Sequence, residues 1–142
     1  MKLLFFSYPL LTLLLNGLLL QQQSTQEYYI DNDLNDTVYY NADIMPKYKS
    51  GDMDFFFELL HETNGTGHGS DMCKTILISF IVTKNGTPVK CRIENCGYNQ
   101  ILDFYANKVA TAVEGMTGWK SGSINGNPVN VYIRKKLYLH FQ

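Results

Sequence analysis

The sequence predicts an α+β domain in which two helices pack on one face of an antiparallel three-stranded sheet. Three observations point there. Residues Ile76 to Thr83 and Val89 to Asn95 flank Lys84-Asn85-Gly86-Thr87, and Asn-Gly between apolar runs is a strong hairpin signal. A stretch before this hairpin and another after it carry apolar residues at helical spacing. The chain closes on GWKSGSINGNPVNVYIRKKLYLHF, residues Gly118 to Phe141, where every odd position from Val129 is apolar except Lys135, the period of a strand with one buried face. Helix, hairpin, helix and strand in that order bury their apolar faces when the helices cover one side of the sheet.

Taken from the N-terminus, 142 residues with 45% apolar and 18% charged content describe one globular domain plus a short extra piece. That piece is residues 1–23. Met1 and Lys2 precede an apolar run from Leu3 to Leu20, followed by Gln21-Gln22-Gln23, the pattern of an export signal. An uncleaved anchor is the rival reading: 18 helical residues reach roughly 27 Å, just short of a hydrocarbon core, and Pro9 and Asn16 weaken a span. Either way the remainder is expected outside the cytoplasm. Residues 24–42 are acidic and polar with scattered tyrosines and no helical period, and are expected to form a tether; residues 43–142 are expected to be the domain.

Within the domain, Ser50 or Asp52 is placed to cap a helix through about Glu62, with Met53, Phe56, Phe57 and Leu60 as its buried face. Thr63 to Asp71 holds three glycines and reads as a loop. With Asn85 and Gly86 as a two-residue turn, Val82 faces Val89, Phe80 faces Cys91 and Ile78 faces Ile93. Ser79, Thr83, Lys90, Arg92 and Glu94 then fall on a wet face. Asn99 is placed to cap a second helix from Gln100 to about Glu114, with Leu102, Tyr105, Ala106, Val109 and Val113 inward and Gly115 ending it. Trp119, between a helix end and a strand, is expected to plug the core. Gly126 and Pro128 are expected to turn the chain into its last strand.

A net charge of −1 and the lack of arginines interleaved with aromatics argue against a nucleic-acid partner. Cys73, Cys91, Cys96, His61, His68 and His140 fit neither C-x-x-C nor H-x-x-x-H spacing, so no catalytic residue, metal site or cofactor is expected. The hairpin register buries Cys91 and sets Cys96 opposite Thr75, with Cys73 diagonal to it. In an oxidising compartment this predicts a Cys73–Cys96 disulfide closing about 24 residues, a stabilisation of about 3 kcal/mol, with three free thiols as the alternative.

From Val38 to Phe141 the chain resembles the C-terminal domain of TonB as it occurs in Bacteroidetes envelope proteins. The resemblance lies in Val38-Tyr39, in Met45-Pro46 and Tyr48-Lys49-Ser50-Gly51 before a helix, and in Ile78 through Asn85-Gly86. It continues in Trp119-Lys120-Ser121-Gly122, in Asn125-Gly126-Asn127-Pro128-Val129 and in the closing strand. The family usually has Met-Pro-x-Trp and Trp-x-Pro-Gly, whereas this chain has Met116-Thr117-Gly118-Trp119 and Ser121.

The resemblance implies a periplasmic protein-binding module that takes up a segment of an outer-membrane receptor, or of another envelope protein, by strand addition along Val131, Tyr132, Ile133, Arg134, Lys135, Lys136, Leu137, Tyr138 and Leu139. Direct motor coupling is not expected, since TonB proper uses a histidine-bearing membrane helix and a proline-rich span, and here the first histidine is His61 with no proline between Pro9 and Pro46. The alternatives are a structural or dimerising envelope protein that uses the same edge, a homodimer through the last strand included, and a thiol- or zinc-dependent enzyme.

Overall fold

The computed structural model describes residues 26–63, 75–96 and 103–138. The elements run β1 (Tyr28–Asp31), β2 (Asp36–Tyr39), β3 (Lys47–Tyr48), α1 (Asp52–Glu62), β4 (Thr75–Val82), β5 (Pro88–Cys96), α2 (Asp103–Gly115), β6 (Trp119–Lys120), β7 (Gly122–Ile124) and β8 (Asn127–Tyr138). The residues read as an export signal, residues 64–71 of the glycine loop, Asn99, Cys73, Leu139 and His140 lie outside the described residues. Among those described, no helix is long and apolar enough to cross a membrane.

The main sheet has six strands in the order β1-β2-β8-β4-β5, with β7 against the start of β8. It is mixed, because β2 runs parallel to β8 (Val38 opposite Asn130, Tyr39 opposite Val131) while β4 pairs antiparallel with β8 along its whole length. This corrects the expected antiparallel three-stranded sheet. Two of the added strands come from the stretch expected to be a tether, and the third from Gly122–Ile124. Four-residue strands with only Val38 and Asp31 buried give too weak an apolar alternation to register in composition. What holds this hairpin together is polar. Asp31 Oδ1 accepts the backbone N–H groups of Asp33 (3.1 Å) and Leu34 (3.0 Å), and Tyr28 opposes Tyr39 across it.

The hairpin is fastened to the sheet by charge and by one amide. Lys84 Nζ lies 2.8 Å from Asp36 Oδ2, Lys90 Nζ lies 2.5 Å from Asp31 Oδ1 and 2.7 Å from Asp33 Oδ2, and Asn130 Nδ2 donates to Thr37 O at 2.9 Å. Hydrogen bonds from Lys84, from the Thr37 N–H and from Asn130 hold the Asp36 carboxyl at about 2. A depressed carboxylate stabilises the folded form above its ordinary value, here 3.8, and that contribution is lost as pH falls through about 2. Amide exchange in β1 and β2, corrected for intrinsic rate, is therefore expected to be faster at pH 2 than at pH 5. Asp36→Asn should flatten the difference; a hairpin equally protected at both pH values would sink this account.

The hairpin also explains a buried face. Ser79 and Thr83 were expected on a wet side, yet Ser79 and Ile81 are both buried, because Tyr29 and Asp31 enclose a hollow with Ser79, Ile81 and Lys90. On the opposite face Phe55 and Leu59 of α1 and Val109 and Val113 of α2 close over Ile76, Ile78, Phe80, Val82, Val131, Ile133 and Leu137.

Two turns changed roles. The loop after β4 has three residues, not two: the Thr83 N–H donates to Thr87 O (2.9 Å), the Gly86 N–H donates to Thr83 O (2.8 Å), and Gly86 alone takes a left-handed φ of 76°. Val82 therefore faces Pro88 and Ile81 faces Val89, one residue off the expected register. A bulge at Lys90, φ 55°, restores Ile78 opposite Ile93, and a second irregularity sets Ile76 rather than Thr75 opposite Cys96. The two-residue mirror turn belongs instead to Asn125 (φ 50°) and Gly126 (φ 77°), joining β7 to β8, with Pro128 inside β8 opposite Ser123.

Helix α1 spans its expected residues but is rotated. Phe55 and Leu59 are buried, Phe56 and Leu60 partly so, and Met53 and Phe57 are 63% and 59% exposed. Three consecutive phenylalanines leave the helical phase ambiguous, and it is decided by Tyr48, Phe80 and Trp119, whose rings take in Phe55 at 5.4–5.9 Å. Neither Ser50 nor Asp52 caps the helix with its side chain; Asp54 Oδ2 accepts the Ser50 N–H at 2.9 Å.

A candidate protein-docking edge on the last strand

Strand β8 is long because its apolar alternation runs unbroken through Val131, Ile133 and Leu137, with the Lys135 stem filling the one charged inward position. Lys135 Nζ sits 6.0 Å from the centre of the Phe55 ring and 2.7 Å from Asp52 Oδ1. Its second edge is used in two stages. Gly122 to Ile124 pair with Asn127 to Val129, then β2 pairs at Asn130 and Val131. Beyond Val131 no strand among the described residues takes that edge, so Tyr132 to Tyr138 pair on the β4 side only. Seven residues at about 3.3 Å each give an open edge of roughly 23 Å. Val131, expected within the edge, is occupied by Tyr39.

A groove follows the opening. At its start Tyr29, Tyr40 and Tyr132 pack in sequence, the first pair tilted with ring centres 5.4 Å apart and the second edge to face at 5.5 Å. At its far end Met53 and Phe56 of α1 line it beside Leu137. On the outer face the Tyr132 hydroxyl donates to Glu94 Oε1, and Arg134 Nε donates to Glu94 Oε2 at 2.5 Å, both reaching across β4. The Tyr132 hydrogen bond is the main reason the Glu94 carboxyl titrates low, while burial and Glu94 push the Tyr132 phenol up. Both stay in their ordinary charge states at neutral pH, so this pair sets a fixed hydrogen bond and a fixed charge beside the edge.

The remaining motif residues are structural. Trp119 lies 5.2 Å from Tyr48 and 5.3 Å from Phe80, ring to ring, as the core plug expected of it. A Cβ on Gly122 would stand 2.7 Å from Val131 Cγ2 and 3.0 Å from both Ile44 O and Pro46 Cδ, so this glycine lets the Ile44–Pro46 segment approach β8. Pro46 and the half-exposed Met45 consequently line the groove. Cys91 is buried with its thiol pushed up to about 12, by burial first and Glu114 second, which makes it a packing residue. The Cys73–Cys96 pairing falls outside what is described, and among the described residues no group of three or more His, Cys, Asp or Glu is placed to hold a metal.

Sequence reasoning reached the strand but not the groove around it. Tyr29, Tyr40, Met53 and Glu94 were missed, and the only advance signal was the cluster of tyrosines in the supposed tether. Fold and site together define a class: a curled mixed sheet with two helices on one face, in which the second edge of the long strand β8 opens halfway along. Comparison with protein-family models, with curated proteins and with solved structures finds no match to this chain.

Proposed function

We propose that the protein is a binding module of the cell envelope, of the kind the TonB C-terminal resemblance implies, which engages an extended segment of an envelope transport receptor by strand addition to β8. The observation that carries this is the open edge from Tyr132 to Tyr138. A row of strand N–H and C=O groups without a partner strand is a template for a second chain, and soluble proteins usually shorten or cover one that is not used. Here it is flanked by a groove with an aromatic end and an apolar end, which gives side-chain pockets beside the backbone ladder. The envelope location rests on the leader-like residues 1–23. No proton-transfer chemistry is assigned to the protein, and binding is its activity.

Photocrosslinking tests the reading in the native host. Arg134→benzoylphenylalanine is expected to capture an outer-membrane receptor, while the same replacement at the exposed Lys120, away from the groove, should not. Capture from Lys120 but not from Arg134 would overturn it.

A further inference from the structure

We infer that the hollow enclosed by the β1–β2 hairpin and the outer face of β4 and β5 is a binding site for a small monocarboxylate, its carboxylate held by Arg92 and its apolar body lying against Tyr29, Tyr132 and Ile81. The site is separate from the docking edge and does not depend on it.

The hollow exists because the sheet curls. Lys90 reaches from β5 to Asp31 and Asp33 of the first hairpin, 2.5 and 2.7 Å away, and so joins the two margins of the sheet. The space between them is about 350 Å³, at the small end of the roughly 300–1,000 Å³ of ligand pockets, and it admits a molecule of metabolite size. The bulge at Lys90 keeps both Lys90 and Arg92 on this side while Cys91 enters the core.

Most polar groups around the hollow are already matched. Lys90 is shared by two carboxylates, and Asp31 also accepts two backbone N–H groups. Glu94 accepts from Tyr132 and Arg134, with a further hydrogen bond from Ser79. Two groups are left over. Arg92 has no ion pair or hydrogen bond among the described residues, and neither has the Tyr29 hydroxyl. Arg92 is exposed, at the mouth. Tyr29 is half-buried, and its phenol is pushed up by burial first and Asp31 second, which keeps it a hydrogen-bond donor at neutral pH.

These residues set the charge of the ligand. A guanidinium with its fork free takes a carboxylate through two parallel N–H···O bonds, and the Tyr29 hydroxyl has one further hydrogen bond to give. A dianion such as phosphate needs a second cation. Lys90 is held by Asp31 and Asp33, and the carboxylates of Asp31 and Glu94 line the same hollow and repel added negative charge. Ile81 and the two tyrosine side chains supply the apolar lining that covers the rest of the molecule.

Nuclear magnetic resonance titration of the full chain tests the site. Benzoate is the probe, and the comparisons are benzamide, which has the same shape without the charge, and inorganic phosphate. Benzoate is expected to shift the Arg92 Nε–H and the backbone amides of Ser79, Ile81 and Lys90 along one saturable curve, with benzamide and phosphate each about tenfold weaker. Arg92→Gln should keep the far-ultraviolet dichroism of the parent and weaken benzoate about tenfold, and Tyr29→Phe, which removes only a hydroxyl, about fivefold.

Equal binding of benzoate and benzamide, or benzoate binding unchanged in R92Q, overturns the role given to Arg92. Phosphate binding as tightly as benzoate overturns the carboxylate as the ligand class. If R92Q fails to fold, an unchanged benzoate affinity in Y29F overturns the proposal in its place. The absence of any saturable benzoate shift at the residues lining the hollow removes the site itself.

Discussion

Trp119→Ala is expected to cost about 3–5 kcal/mol, the range for removing a large buried aromatic side chain and a large fraction of the roughly 5–15 kcal/mol of an ordinary domain. The indole is where four separate elements meet. Its ring lies 5.2 Å from Tyr48 of β3, 5.4 Å from Phe55 of α1 and 5.3 Å from Phe80 of β4, and its own backbone pairs with Tyr48 to form the two-stranded β3–β6 sheet. A hole there cannot be closed by moving one element without pulling it from another. Trp119→Phe should lose far less, about 1 kcal/mol. It keeps a ring in place and also removes the indole N–H, which is buried without a hydrogen-bond partner among the described residues. Urea unfolding of the three proteins decides the matter. A loss below about 1 kcal/mol for the alanine variant would mean the cluster is held by its rim rather than its centre.

That core was the part most open to reading from residues alone. The inward set Ile76, Ile78, Phe80 and Val82 of β4 and the alternation of β8 follow from periodicity, because burial on one face leaves an imprint at every second residue, and the place of Trp119 follows from its position between a helix end and a strand. What escaped notice was of two kinds. Helix α1 was assigned its extent but the wrong face, since Phe55, Phe56 and Phe57 satisfy any helical phase and only the neighbouring rings of Tyr48 and Trp119 choose among them. The β1–β2 hairpin was taken for a tether because its attachment is made of ion pairs, an Asx turn and the amide of Asn130, contacts between residues such as Asp36 and Lys84 that no local pattern links. The groove inherits both errors. Tyr29 and Tyr40 come from the hairpin, Met53 and Phe56 from the rotated helix, and the open edge of β8 begins at Tyr132 because β2 stops at Tyr39.

The two Asn-Gly pairs give the last prediction, because their glycines share a conformation and differ only in surroundings. Gly86 has φ 76° and Gly126 has φ 77°, so an alanine at either position carries the same left-handed cost, about 1–2 kcal/mol. Around Gly126 nothing stands within 4 Å of where the Cβ would sit. At Gly86 that atom would lie 2.5 Å from the carbonyl oxygen of Trp119 and 3.4 Å from its carbon, backbone atoms that cannot swing aside as a side-chain end would. Relief requires the tip of the β4–β5 hairpin to lift away from β6, loosening Trp119 from above, and overpacking of this kind adds about 1–3 kcal/mol. Gly86→Ala is therefore expected to lose about 3 kcal/mol in urea unfolding against about 1 kcal/mol for Gly126→Ala. Both variants should still take up a peptide along Tyr132 to Tyr138 while folded, since neither glycine lines the groove. Equal losses would show that the hairpin tip moves freely over β6 and that the left-handed turn alone accounts for the choice of glycine at both places.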